Sequence, residues 1–490
     1  MKLIWIKSMA ETLENCCDTG TANRRDGGYD LAVIGAGSAG FSAAITAAEK
    51  GAKVALIGDG TIGGTCVNVG CVPSKTLIRA AEAVHHANTA SRFKGIAANA
   101  RLEQWREVVA QKDELVTELR QAKYIDLLPE YENVTYLEGP AEFTPDGLQI
   151  KGEGIKADKI IIATGSRVNI PSIPGIEDVP YLTSTTVFDL TQLPRSMLVI
   201  GGGYIGCEIA QMLSRVGVHV TLVTRRRLLP ESEPEISDAL ATYFRDEGIS
   251  VQEGVTYNRI SQSGGGISLG AIIDSVPHSI QTEQVLITTG RVPNIEGLGL
   301  DAGGIDMNKE GGIAVDEHMR TSRLDVYAVG DVTGTDQFVY MAAYGAKIAA
   351  ENAIDDAGRR YDNSTMPAVV FTDPQVASVG YTETAATDAG YKVLTSVLPL
   401  EYVPRALAAR DTRGLIKLVA DADTKKILGA HILAPEGADS IQTAALAIAN
   451  QMTYVELGDM VFPYLTTVEG LKLAAQTFEK DVSKLSCCAG

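Results

Sequence analysis

Asp30-Leu31-Ala32-Val33-Ile34-Gly35-Ala36-Gly37-Ser38-Ala39-Gly40 is a short apolar strand that runs directly into a glycine turn. Phe41 to Glu49 continues as a helix, and Lys53 to Ile57 as a second strand. A strand, a Gly-x-Gly-x-x-Gly turn, a helix and a strand in that order make the βαβ unit that binds dinucleotides. Gly35, Gly37 and Gly40 let the main chain close on a pyrophosphate, which then lies at the positive end of the helix. A lone glycine motif is a weak signal. The strand before it and the helix after it separate a nucleotide site from a structural turn. The uncharged run from Leu31 to Ala48 is long enough to imitate a membrane helix, but its three glycines and several hydroxyls argue against that.

The same grammar returns further along. Met197 to Ile200 is a strand, Gly201-Gly202-Gly203-Tyr204-Ile205-Gly206 the turn, Cys207 to Val216 a helix and His219 to Val223 the next strand. Two such units in one chain predict two dinucleotides, and the end of each second strand indicates which. In the second unit that strand runs into Thr224-Arg225-Arg226-Arg227, with no acid for a ribose hydroxyl. Arg225 and Arg226 there favour a 2′-phosphate, hence NADPH over NADH; a solvated basic turn is the competing reading. In the first unit the strand ends Leu56-Ile57-Gly58-Asp59, so the acid comes one residue late. Either Asp59 holds a ribose from a shifted backbone position, or Gly58 leaves that contact to water.

Outward from these units, the chain of 490 residues has room for about three domains at roughly 150 residues each. A small binding module is excluded. Lys and Arg number 43 against 61 Asp and Glu, a formal charge of −18 that speaks against a nucleic-acid or anionic-membrane groove. The seven cysteines are too few for a secreted disulfide scaffold, and six of them fall in pairs: Cys16-Cys17, Cys66 with Cys71, and Cys487-Cys488. Pairs of this kind point to thiol chemistry or soft-metal capture in a reducing cytosol. Leu3-Ile4-Trp5-Ile6 is cut short by Lys7, too soon for an export signal, so a cytoplasmic location is expected. Residues 1–29 form a leader in which Cys16 and Cys17 are read as inert, and Cys207 as helix packing.

Gly63-Gly64-Thr65-Cys66-Val67-Asn68-Val69-Gly70-Cys71-Val72-Pro73-Ser74-Lys75 places two cysteines, spaced C-x4-C, at a helix start. They can bridge when oxidised, and the helix terminus and Lys75 favour the thiolate when reduced. A structural zinc half-site is the alternative, but no second cysteine or histidine pair lies nearby at zinc-ligand spacing. Lys159 to Ala163 and Gln284 to Thr288 are strands ending in Thr164-Gly165-Ser166-Arg167 and Thr289-Gly290-Arg291, both read as domain crossings. Val326 to Val329 runs into Gly330-Asp331, where a carboxylate can accept hydrogen bonds from a polyol.

With these motifs the chain resembles the flavin-dependent pyridine-nucleotide disulfide oxidoreductases over residues 30 to 490. The resemblance implies an α/β fold of two Rossmann-like domains, for FAD and NADPH, and a C-terminal α+β dimerisation domain. The expected boundaries are a leader at 1–29, the FAD domain at 30–177 and 293–363, the NADPH domain at 178–292, and the interface domain at 364–490. It further implies hydride passing from NADPH to FAD and on to a Cys66–Cys71 disulfide. Thr65, Gly165 and Asp331 join the FAD contacts, Tyr204 gates the nicotinamide pocket, and Lys75 pairs with Glu208 beside the flavin.

Disulfide reductases of this family carry a histidine that protonates the leaving thiolate, in a His-Pro-Thr stretch ahead of a glutamate. The corresponding stretch here is Phe462-Pro463-Tyr464-Leu465-Thr466-Thr467-Val468-Glu469, with Tyr464 in the histidine's place and no histidine after His431. A tyrosine with an ordinary pKa of about 10 is a poor proton donor at neutral pH. The chain instead ends Ser486-Cys487-Cys488-Ala489-Gly490. Soft thiolates select soft metals, of which Hg(II), favouring two sulfurs in a line, is the extreme case. The resemblance then implies a homodimer in which Cys487 and Cys488 of one subunit pass thiol-bound Hg(II) to Cys66 and Cys71 of the other, with Tyr124 and Tyr464 near the metal. On its own Tyr124 reads as a helix-surface residue. The rival readings are a high-molecular-weight thioredoxin or disulfide reductase with a dithiol tail, and a thiol protein that sequesters metal without turnover.

Overall fold

The computed structural model describes residues 28–482. Cys16, Cys17, Cys487 and Cys488, and nearly all of the expected leader, lie outside the described residues.

Five parallel strands form the first sheet, in the order Val326–Ala328, Ala157–Ile162, Tyr29–Ile34, Val54–Gly58 and Val134–Glu138. The central strand is apolar at every position from Leu31 to Ile34 and buried on both faces, as a parallel sheet covered on each side requires. On one face the Ser38–Glu49 helix packs against the Val339–Asp355 helix through Ala43, Ala44 and Ala47 on one side and Ala346, Ala349 and Ala350 on the other. Small side chains let the two backbones approach closely.

The second sheet repeats the plan with parallel strands in the order Ser250–Gln252, His219–Val223, Ser196–Ile200, Gln284–Ile287 and Leu182–Thr183. Both helices of the nucleotide units start earlier than the sequence predicts, at Ser38 and Tyr204 rather than at Phe41 and Cys207. The third glycine of each turn therefore lies inside its helix. Lacking a Cβ, it rests directly on the carbonyl of the first glycine: an added Cβ would lie 1.7 Å from the Gly35 oxygen at Gly40, and 1.9 Å from the Gly201 oxygen at Gly206.

Between the sheets, Ser166–Val168 and Arg291–Pro293 pair antiparallel as a two-stranded ribbon. Two antiparallel three-stranded sheets, covering Ala141–Ile155 and Thr256–Thr282, are insertions the glycine grammar did not announce. The last part is a five-stranded antiparallel sheet, in the order Ala368–Val370, Gln375–Gly380, Ile427–Ala434, Leu415–Asp421, Val393–Pro399. Five helices accompany it, and its core runs from Ala377 to Ala475. Among the described residues no helix is long and apolar enough to cross a membrane.

Candidate active site

Both glycine turns and the cysteine pair open onto one cavity of about 1460 Å³. Gly35 and Gly201 are left-handed, with φ of 119° and 118°, and press on the crossing strands: a Cβ would fall 2.2 Å from the Ala163 oxygen and 2.4 Å from the Thr288 oxygen. The middle glycines are different. A Cβ on Gly37 would meet only the Gly64 Cα at 3.6 Å, and one on Gly203 nothing within 4 Å. Each of these two is the N-cap of its helix, and no side chain caps either helix. Open, uncapped N–H groups at the positive helix end, on a cavity wall, suit the phosphates of a dinucleotide. The residues present therefore fit FAD at the first turn and a pyridine nucleotide at the second.

Asp59, Thr65, Gly165 and Asp331 all line the same cavity. Gly58 leaves space that another side chain uses, because an added Cβ there would lie 2.3 Å from the Tyr136 hydroxyl oxygen. Tyr136 sits on the neighbouring strand opposite Leu56, and only the pairing register reveals it. The Asp331 carboxylate accepts a hydrogen bond from the Ser166 hydroxyl at 2.5 Å, and Arg291 Nε donates to the same hydroxyl at 2.8 Å. Arg291, 3.8 Å from Asp331, is a charged cavity residue that the sequence placed only in a crossing. Its signal was position: it follows a glycine at the strand end and pairs with the Ser166 strand.

The redox stretch is brought to the first turn by two left-handed glycines, Gly63 and Gly64, and a Cβ on Gly64 would lie 2.7 Å from the Gly37 Cα. Cys66 then lies on the short Gly64–Val69 helix, and Cys71 opens the Cys71–Asn88 helix with Pro73 in its first turn. Both are free thiols: Cys71 exposed, Cys66 half-buried. The hydrogen bond between them sets their acidities apart. Cys66, the donor, is pushed well above the usual thiol range, and burial adds to this. Cys71, the acceptor, is brought down to about 7 by that bond and, secondarily, by the Lys75 charge, while burial and Glu208 oppose the shift.

Lys75 Nζ lies 2.7 Å from Glu208 Oε2, so the redox helix and the helix of the second glycine turn are joined. The other Glu208 oxygen accepts the Phe371 N–H at 2.9 Å, and the Lys75 ammonium lies 4.8 Å from the centre of the Phe371 ring. Tyr204, at the start of the second helix, packs against Phe338 at 5.9 Å, and Phe338 stacks on Tyr340 at 5.4 Å. Burial holds the Tyr204 hydroxyl above its ordinary pKa. Sequence reasoning missed Phe338 and Tyr340, which lie on the cavity wall beside Tyr204.

Tyr124 is half-buried rather than on an open helix surface. A single π-helical turn, Gln121–Ile125, ends the Trp105–Arg120 helix, and the ring meets Phe41 edge-on at 4.8 Å. Its hydroxyl lies 3.4 Å from that of Ser38, and its pKa is raised by burial, with the Ser38 hydrogen bond opposing the shift.

Other expected residues lie apart from this cluster. Arg225 and Arg226 are exposed at the end of the His219–Val223 strand and are not on the cavity wall. Tyr464 is 55% exposed on the loop before the Glu469–Gln476 helix and does not line the cavity of its own chain. That loop is tied by Leu465 N–H donating to Glu469 Oε2 at 3.0 Å. Among the described residues, no histidine lines the cavity. Among the described residues, no group of three or more His, Cys, Asp or Glu side chains is placed to hold a metal ion.

Comparison with known proteins accords with this geometry. Residues 29–350 match the pyridine nucleotide-disulphide oxidoreductase family model, and residues 366–475 match the dimerisation domain of the same family. A mercuric reductase of Staphylococcus aureus is 46% identical over 468 residues, covering 95% of this chain and 85% of that one. One from Streptomyces lividans is 46% identical over 470 residues, covering 94% and 99%. Among solved structures, the HOCl-induced flavoprotein disulfide reductase of Escherichia coli, as its Cu(II) complex, superposes with a TM-score of 0.81 at 30% identity, covering 92% of this chain and 99% of that one. In motif order, fold and site, the chain belongs to the pyridine nucleotide-disulphide oxidoreductases.

Proposed function

We propose that the chain reduces thiol-bound Hg(II) to Hg(0) with electrons from NADPH. FAD held at the first glycine turn would supply the two-electron relay between NADPH and the cysteine site. The overall reaction balances as Hg(SR)₂ + NADPH + H⁺ → Hg(0) + 2 RSH + NADP⁺. Gly35, Gly37, Gly40, Asp59, Thr65, Gly165 and Asp331 hold FAD. Gly201, Gly203, Gly206, Arg225 and Arg226 hold NADPH, with Tyr204 as the gate to the nicotinamide pocket. Residues 30–177 and 293–363 form the FAD unit, a division supported by Val326–Ala328 pairing into the first sheet. Residues 178–292 form the NADPH unit and 364–490 the interface.

The observation that carries this reading is a thiol pair, one member acidic to about 7, in a chain whose Phe462 to Glu469 stretch has Tyr464 where a disulfide reductase carries its histidine. Cleaving a disulfide needs a proton donor for the leaving thiolate. Capturing Hg(II) does not, because each thiolate of the pair displaces another thiolate and one Hg–S bond forms as one breaks. Cys66 must give up its proton to become the second ligand. Lys75, held by Glu208, keeps a positive charge beside Cys71 during this exchange. The mercuric reductases at 46% identity favour this reading over a disulfide reductase with a dithiol tail.

The match to a dimerisation domain supports a homodimer. In it, the Cys487–Cys488 pair of one subunit delivers metal to the Cys66–Cys71 pair of the other, and Tyr464 completes that site across the interface. The paired cysteines support a reducing compartment such as the cytoplasm.

Purified FAD-loaded protein should oxidise NADPH when Hg(II) is added with excess thiol, and should release volatile mercury. NADPH oxidation by glutathione disulfide or thioredoxin, with none by mercury, would overturn the proposal.

A further inference from the structure

The three arginines that follow the second nucleotide strand are not equivalent. Arg227 is committed to the backbone, donating to the Ser232 carbonyl at 2.5 Å and the Pro230 carbonyl at 3.2 Å. Arg226 forms an exposed ion pair with Glu231 at 2.9 Å. Arg225 lies over the ring of Tyr257, 5.2 Å from its centre, and has no carboxylate partner among the ion pairs of the described residues.

The ring beneath it is itself fixed. Thr224 N–H donates to the Gln252 carbonyl and Val255 N–H to the Thr224 carbonyl, both at 2.9 Å, so the loop between the Ser250–Gln252 and Thr256–Ser263 strands clasps the strand end. Tyr257 Oη then donates to the Val223 carbonyl at 3.3 Å, and a register shift between Tyr257 and Arg259 sets that strand's course. The ring is half-buried, and its pKa is raised to about 12 by burial.

We propose that Tyr257 is a positioning residue that holds the Arg225 guanidinium flat and ready for the 2′-phosphate of NADPH. This rests on the reading that the second glycine turn takes NADPH. A guanidinium confined to one plane loses less entropy when it binds a phosphate bidentately, and stacking leaves its N–H edge free for the anion. Arg225 is thus the preset 2′-phosphate ligand, whereas Arg226 must first leave Glu231.

Isothermal titration of FAD-loaded protein with 2′,5′-ADP and with 5′-ADP tests the inference. Tyr257→Leu should weaken 2′,5′-ADP binding roughly threefold to thirtyfold, the range of a lost cation–π contact, and leave 5′-ADP binding unchanged. Tyr257→Phe, which keeps the ring, should retain most of the affinity. In an Arg225→Gln background, Tyr257→Leu should cost nothing further. If the leucine variant does not fold, Tyr257→Met carries the same expectations. Wild-type protein that binds 2′,5′-ADP no more tightly than 5′-ADP would overturn both the NADPH reading and the role of Tyr257. A wild-type preference that survives the loss of the ring, or equal weakening of both ligands, would overturn the role of Tyr257 alone.

Discussion

Cys71 is acidic because of its neighbours: Cys66 donates a hydrogen bond to it, and Lys75 brings a positive charge held in place by Glu208. A thiolate reacts where a thiol does not, so metal capture and alkylation by the reduced enzyme should both rise with pH through about 7. The direction follows from the fraction of Cys71 deprotonated, which grows as pH passes its pKa from below. Lys75→Met removes the cation and should move the midpoint of iodoacetamide labelling upward by about one pH unit. An unchanged midpoint would assign the acidity to the Cys66 hydrogen bond alone. The spacing of Cys66, Cys71 and Lys75 was visible in sequence. The division of acidity between the thiols was not, because it depends on which sulfur donates and how deeply each lies.

The glycine turns act at the scale of elements. Their first and third glycines serve packing, and the middle one leaves the helix start open. Gly40→Ala and Gly206→Ala would each drive a methyl group into a backbone carbonyl that cannot retreat, since it belongs to the turn itself. Each should destabilise the protein by more than about 2 kcal/mol and reduce retained flavin, read by thermal melting and by the absorbance of the purified protein. Gly203→Ala meets no atom within 4 Å, so stability should hold while NADPH binding weakens. The βαβ grammar was legible because a strand, three glycines and a helix are local in sequence. The helix starts were placed three residues late because close packing of glycine on carbonyl makes Gly40 and Gly206 helical, where propensity alone argues against it.

At the scale of the whole molecule, the antiparallel unit is fastened to the second parallel unit by a buried cation. Lys417 Nζ lies 3.0 Å from Glu233, 2.9 Å from Glu235 and 2.8 Å from Glu383, and the Lys417 and Glu233 side chains are each 2% exposed. Lys417→Met leaves Glu233 a buried carboxylate without its cation and should cost about 3–5 kcal/mol in denaturant unfolding. A loss under about 1 kcal/mol would mean that water relieves the carboxylates. Assembly is tested with mixed subunits. One subunit carries Cys487→Ala and Cys488→Ala, the other Cys66→Ala and Cys71→Ala; their heterodimer should recover mercury reduction. Failure to recover would place metal transfer within one chain.

By itself the sequence determined the two nucleotide units, the cysteine pair, the arginines at the second strand end and the replacement of the expected histidine by Tyr464, because each is carried by residue type at short, fixed spacing. Only the tertiary structure decided which groups meet. It placed Tyr136 in the space beside Gly58 and Arg291 on Ser166 and Asp331. It turned Tyr124 inward on a π-helical turn and set the Arg225 guanidinium over the Tyr257 ring. These contacts join residues from different strands and helices, so they depend on strand register and helix packing, which spacing along the chain does not encode.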